Sequence, residues 1–341
     1  MKKNWLVIAL SSLVALNLSW EHQTLLIPMV DLARYYHLAA REPFVYRILP
    51  ALGYHWLMRG HVDLLTGMNA PFDSSYNIFQ LLLDAVSLVA TLYFMKKIAD
   101  AFNPRLKPSF LLAFAAAAAL AIVVFGFYMV PNRALFYPYD FPDMCFATIV
   151  FYLCIRLWGR AEYFLPLIIF VATLNKETAV FYSGLYVALR AWNKADRART
   201  AIVLVGCAAA FVAARSLVVQ FVNTNATHPA VAHLQYEYHL MYTLEQLRNP
   251  LFVFAMLNIC SYLYVAIYLL RKQLDRTDGL ILFMIALWFA IMSVVGIIRE
   301  LRIFVPASLM MYVIIARHLE TVVQTWRPQA SGAERPLGTD S

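Results

Sequence analysis

About ten apolar stretches recur along this 341-residue chain with only short polar links between them. They lie near residues 4–20, 76–95, 109–131, 142–158, 161–175, 178–193, 200–221, 250–270, 279–298 and 303–322. A bilayer core takes about 20 apolar residues per spanning helix, and it leaves no backbone polar group without an internal partner. Such a pattern therefore folds as helices. The expected fold class is all-α: a polytopic integral membrane protein of about ten transmembrane helices. Segments 161–175 and 178–193 are short for spans, which leaves broken or partly re-entrant helices open there.

Composition narrows the alternatives. The chain is 62% hydrophobic and 14% charged, against about 25% charged residues in an ordinary soluble domain. No segment is left over for a soluble domain, so residues 1–323 read as a single transmembrane domain. Residues 324–341, rich in Pro, Gly, Ser and Arg, read as a disordered cytoplasmic tail. The basic start and apolar core of Met1–Trp20 raise a cleaved signal peptide. Its small residues Ala9, Ser11 and Ser12 lie inside the apolar run, so a retained first helix is expected. The four cysteines lie in the expected spans without metal-ligand spacing and read as free thiols.

The net charge of +8 would suggest nucleic acid in a soluble protein. Here it follows from the positive-inside bias, and no nucleic-acid partner is expected. Lys2, Lys3, Lys96, Lys97, Arg105, Lys107, Arg271, Lys272 and Arg276 all fall in one alternating set of connections. That asymmetry places both termini in the cytoplasm. The outer connections are then 21–75, 132–141, the turn at Asn175–Thr178, 222–249 and the turn at Arg299–Arg302.

These outer connections hold mixed acid, base, amide and aromatic clusters instead of plain basic runs. In the first, Asp31, Arg34 and Tyr35 share a face at helical spacing. A carboxylate there, steadied by a neighbouring cation, can act as general base toward a hydroxyl; a solvated Asp–Arg surface pair is the plainer alternative. Within Tyr46–Met58 the apolar residues Ile48, Leu49, Leu52, Trp56 and Leu57 recur at helical spacing, as in a helix lying in the membrane interface. Arg47 at its start suits an anionic headgroup or serves as an interface anchor.

This arrangement resembles the integral-membrane glycosyltransferases of the GT-C type. Their first span is followed by an outer loop with an acidic Asp-Glu-x-x-Tyr-like pattern and interfacial helices. Asp31 and Tyr35 match that pattern, while Leu32 stands where many members have Glu. The resemblance implies a bacterial inner-membrane enzyme with a periplasmic active site. It would transfer sugar from a polyprenyl-phosphate donor to a lipid, glycan or protein acceptor, with Asp31 as catalytic base. A glycan polymerase or ligase of the cell envelope would use the same donors. A lipid or solute transporter is the rival of another class; it should show repeats and midplane polar sites, and no repeat is visible.

The remaining clusters supply candidate substrate contacts. Asn132 and Arg133 precede Asp140 and Asp143, which sit three apart at the entry of the fourth span. Helix capping, sugar hydroxyls and a divalent cation are all open roles for these acids. Asn175, Lys176 and Glu177 interrupt two apolar helices with almost no loop, and Arg299, Glu300 and Arg302 do the same between the last two spans. Charges at such tight turns are costly unless paired or used. Converging cations would stabilise a departing phosphate. Asp84 and Arg215 lie within spans and could pair with each other.

Overall fold

The computed structural model describes residues 11–21, 35–36, 47–58, 75–128, 137–157, 159–190, 197–225, 241, 244–246, 248–250, 259–295 and 301–326. All regular structure among them is helical, with no strand. Residues 11–21 form α1. Then follow α2 (Leu49–Met58), α3 (Ser75–Phe102), α4 (Pro108–Val123), α5 (Asp140–Arg156), α6 (Leu165–Asn175), α7 (Ser183–Arg190) and α8 (Arg197–Asn225). Leu263–Leu269, Arg276–Val295 and Val305–Trp326 are α9, α10 and α11.

Four segments are long and apolar enough to cross a membrane: Tyr76–Phe102, Pro108–Tyr128, Arg197–Phe221 and Arg276–Val294. Each presents large apolar side chains outward, among them Val86, Leu120, Val205 and Phe283. That is how a lipid-facing surface differs from a water-facing one. The apolar segments 161–175 and 178–193 are short helices, neither among the candidate spans. Each begins as a 3₁₀ turn, Gly159–Phe164 and Glu177–Tyr182, before α6 and α7. Pro166 sits in the first turn of α6, where its missing N–H costs nothing. Its ring lies so close to Gly206 of α8 that a Cβ there would stand 2.9 Å from Pro166 Cγ. The α6–α8 contact depends on that glycine. Helix α11 runs to Trp326, so ordered helix continues past residue 323; residues 327–341 lie outside the described set.

Long-range contacts sort the helix termini into two ends. At one end, Tyr128 donates to Leu18 O (2.6 Å), and Phe127 meets Phe141 edge-on. Gly126 lies against Val305 at the start of α11. At the other end Asn103, just past α3, donates to Ala316 O (2.7 Å) and accepts from Glu320 N (2.9 Å). Between the ends Tyr312 donates to Met95 O (2.7 Å), pinning α11 to α3. Helix α3 packs most extensively on α5, and α6 on α8. Helix α2 buries Ala51 and Tyr54 and leaves Leu52, Trp56 and Leu57 exposed, Trp56 at 82%. Of the apolar stripe expected here, Ile48 is buried and Leu49 half-buried, while Leu52, Trp56 and Leu57 face outward.

Candidate functional site

Tyr139, the residue before α5, is the centre of a buried polar cluster at the end of the bundle that holds Leu18 and Val305. Arg47 packs its guanidinium over the Tyr139 ring, 4.3 Å from the centroid, and Lys176 Nζ lies 5.9 Å from it. Both contacts are in cation–π range. Each cation also meets a carboxylate. Arg47 NH2 lies 2.8 Å from Glu177 Oε1, and Lys176 Nζ lies 2.9 Å from Asp143 Oδ2. Tyr182 donates to the other oxygen of Asp143. Asn175 donates to Tyr139 O (3.2 Å), and Tyr35 donates to Arg47 O (2.7 Å).

Local structure explains the convergence. Helix α6 ends at Asn175, and Lys176 takes an extended conformation (φ −156°, ψ 132°) before the 3₁₀ turn begins at Glu177. One non-helical residue therefore sends three polar side chains to different partners around Tyr139. Asp140 and Asp143 lie in the first turn of α5, where the helix dipole favours acids. Asp140 accepts from Tyr137 N (3.1 Å), so part of the capping role holds for it. Asp143 instead reaches into the cluster.

Electrostatics follow from these pairs. Burial is the largest influence on Arg47 and opposes its charge, but Glu177, Tyr139, Tyr35 and Asp140 together outweigh it and strengthen the guanidinium's hold on its proton. Burial likewise favours the neutral form of Glu177. Arg47, the backbone N–H of Glu177, Arg215 and Lys176 overcome that and hold the carboxyl below its usual range. Glu177 is thus an anion at neutral pH and a poor proton acceptor. Burial pushes the Tyr35 phenol far above its ordinary value, so it serves as a neutral donor. Two acceptors, Asn175 Oδ1 and Glu177 Oε2, are buried without a hydrogen-bond partner among the described residues.

A second polar chain joins the cluster from α3. Tyr36 donates to Gln80 Oε1, and Gln80 Nε2 donates to Asp84 Oδ1 (2.8 Å) and Pro138 O (2.9 Å). Asp84 therefore sits with Gln80, while Arg215 bears on Glu177. Among the described residues, no three His, Cys, Asp or Glu side chains converge as metal ligands. Asp140 and Asp143 do not form a cation site with such neighbours.

Of the sequence-derived candidates, Tyr35, Arg47, Asp140, Asp143, Asn175, Lys176 and Glu177 come together here. Asp31, Arg34, Asn132, Arg133, Arg299 and Glu300 lie outside the described residues. Arg302 falls in the 3₁₀ turn Leu301–Phe304. That turn is tied to the cluster through Trp288, which donates to Ile303 O (2.9 Å) and stacks on Tyr182. Sequence reasoning missed Tyr182, Tyr36 and Gln80. Gln80 carried a signal, since it precedes the intramembrane Asp84 by one helical turn. Tyr182 carried none beyond its nearness to Glu177. No family model, curated protein or solved structure matches the chain.

Proposed function

We propose that the protein is a membrane glycosyltransferase, resembling the GT-C type, of about ten spans with its site on the periplasmic face. The donor is a polyprenyl-phosphate sugar, and the acceptor carries a hydroxyl. The observation that carries this reading is the convergence of Arg47 and Lys176 with Asp143, Asn175 and Glu177 on one buried tyrosine at one end of an apolar helical bundle. Cations so placed suit a phosphate whose charge grows as the sugar leaves. Unpartnered acceptors beside them suit hydroxyl donors.

In this reaction the acceptor hydroxyl loses its proton to a base, and its oxygen forms a bond to the anomeric carbon. The bond from that carbon to the phosphate oxygen breaks, and polyprenyl phosphate departs as an anion. Phosphate is a stable leaving group and needs no acid. The base is Asp31. Supporting it are its place four residues before the anchored Tyr35 and the Arg47 pairing that makes Glu177 a weak base.

Transfer is tested with purified protein, a panel of radiolabelled polyprenyl-phosphate sugars, and membrane lipid, glycan and peptide acceptors. Donor-dependent product, lost in Asp31→Asn by about 10²-fold or more with donor binding retained, is the expected result. Absence of both donor binding and product across the panel overturns the reading. The pairing of both cations also favours a second reading, a charge lock that only holds helix ends together. In that case Arg47 and Lys176 variants lose stability and nothing else.

A further inference from the structure

The two carboxylates that meet the cations of the Tyr139 cluster are held differently. Asp143 is closed: Oδ2 meets Lys176 at 2.9 Å, the other oxygen accepts from Tyr182, and its side chain is 6% exposed. It sits in the first turn of α5, so the helix itself fixes its position. Glu177 is open. It meets Arg47 through Oε1 at 2.8 Å, Oε2 has no hydrogen-bond partner among the described residues, and its side chain is 37% exposed. It stands directly after the extended Lys176, where α6 has ended and the 3₁₀ turn begins. Moving Asp143 away would strand a buried lysine and a buried tyrosine hydroxyl. Moving Glu177 away takes a carboxylate from Arg47 and from no other hydrogen-bond donor among the described residues.

The arginine, by contrast, is fixed at both ends. Tyr35 donates to its backbone carbonyl (2.7 Å), and its guanidinium lies 4.3 Å from the Tyr139 ring centroid. Its side chain is buried, and a buried cation deprived of its anion is strongly destabilising. Glu177 therefore leaves only as another anion arrives. A phosphate suits the planar fork of the guanidinium as well as a carboxylate does, whereas an uncharged hydroxyl cannot replace the lost charge. Such an exchange leaves Arg47 paired before and after, and it admits anions alone.

We infer that Glu177 is an exchangeable stand-in for the donor's phosphate: the phosphate takes its place on Arg47, while Asp143 stays on Lys176. The inference rests on the transferase reading and adds to it the cation that exchanges and the carboxylate that gives way.

Full-length wild type, Glu177→Gln, Glu177→Asp and Asp143→Asn, each in phosphatidylcholine nanodiscs, are titrated with polyprenyl phosphate and with polyprenol, the same tail without the charge. Gln keeps the shape of Glu177 and removes the competing charge. Asp keeps the charge but falls short of Arg47 by one carbon. Polyprenyl phosphate is expected to bind Glu177→Gln about fivefold, and Glu177→Asp about twofold, more tightly than wild type, the scale set by a half-exposed pair. Asp143→Asn gains less than either, and polyprenol binds all four alike. Should Glu177→Gln fail to fold, the gain in Glu177→Asp carries the test. A gain in Glu177→Gln with none in Glu177→Asp means that Glu177 repels the phosphate through space and is not displaced, which overturns the inference. So does an equal gain in Asp143→Asn, or weaker binding to Glu177→Gln. Tighter binding of inorganic phosphate to Glu177→Gln, with no binding of polyprenyl phosphate, assigns Arg47 to a free anion and also overturns it. Sugar transfer by wild type without the expected gain removes the exchange and leaves the transferase reading intact. Absence of donor binding and of all transfer defeats the transferase reading itself, and with it the exchange.

Discussion

The Asp278 group and the Tyr139 group, at opposite ends of the bundle, both bury ion pairs, yet the two groups finish them differently. At the end opposite Tyr139, Asp278 is fully buried at the start of α10 and receives Arg317 and His318 from α11. Asp275 N donates to it (2.9 Å), and Asp275 in turn takes Arg317 NH2 at 2.8 Å. Both oxygens of Asp278 are occupied, and two helices suffice to build the group. At the Tyr139 end, four separate parts of the chain contribute, and Asn175 Oδ1 and Glu177 Oε2 have no hydrogen-bond partner among the described residues. A closed cluster accounts for itself as a clamp between helices. Buried acceptors left open bear a cost, and the Asp278 end carries one as well, since Glu162 Oε1 beside Arg190 also lacks a hydrogen-bond partner among the described residues.

The largest effect tests the clamp. Asp278→Ala strands Arg317 and His318 beside a buried surface, and removing one partner of a buried pair costs about 3–5 kcal/mol. Thermal unfolding in detergent should fall steeply, while the surviving folded fraction binds donor with unchanged affinity. A change in donor affinity at constant stability would show that this end, too, communicates with the site.

The next effect separates the ends more sharply. Lys176→Met breaks the pair with Asp143, whose side chains are 10% and 6% exposed, and should destabilise by a few kcal/mol. The double variant Lys176→Met/Asp143→Leu replaces the pair by apolar groups and should recover much of that stability. On the proposed transferase reading, transfer should stay down by about 10²-fold or more, because a cation proposed to face the phosphate is gone. Recovery of both stability and transfer would make the Tyr139 cluster a second clamp.

Arg302 probes how far the open cluster extends along the Trp288–Ile303 connection. Arg302→Lys keeps the charge but loses the planar fork, and Arg302→Ala loses both. Donor affinity should fall in the order wild type, Lys, Ala, with Ala costing about 2 kcal/mol or more if the contact is desolvated. Unchanged binding with a lower melting temperature assigns this turn to helix–helix contact alone.

The difference between the ends also decided what the sequence disclosed. Apolar period and length announced the helices, since lipid permits little else, and α3, α4, α8 and α10 fall where the hydropathy placed them. The 3₁₀ openings Gly159–Phe164 and Glu177–Tyr182 were not legible, because 3₁₀ turns share the composition of the helices they lead into. Lys176 and Glu177 stood out because charge at a tight membrane turn is rare. Their partners did not. Asp143 resembles an ordinary first-turn acid, and the partnership of Arg47 with Glu177 joins residues 130 apart in the chain, which no local spacing encodes. Asp275 and Asp278 drew no notice, since charges in a basic connection are expected, and His318 sat near the end of an expected span.

The smallest effect contrasts the two ends by their acid limbs. Glu177 and Asp275 both have folded-state carboxyl values lowered by their partners, Asp275 to about 2. In each case burial is the largest influence and acts in the raising direction; the arginine partner and neighbouring hydrogen bonds and charges together overcome it. A lowered carboxyl contributes stability that is fully present above its unfolded value, about 4.3 for Glu and 3.9 for Asp. That contribution is lost as pH falls through the folded value. The stability gap between wild type and Glu177→Gln should therefore be flat from pH 8 to about 5 and shrink below about 4.3. The gap to Asp275→Asn should persist to lower pH and close only toward about pH 2. Glu177 and Asp275 are 37% and 51% exposed, so solvent screening limits each gap to about 1 kcal/mol or less. Donor bound at Arg47 would compete with Glu177 for the guanidinium. Saturating donor should then narrow the Glu177 gap at pH 7 and leave the Asp275 gap unchanged. Equal narrowing of both gaps would mean that donor stabilises the bundle as a whole, without displacing the Glu177 carboxylate.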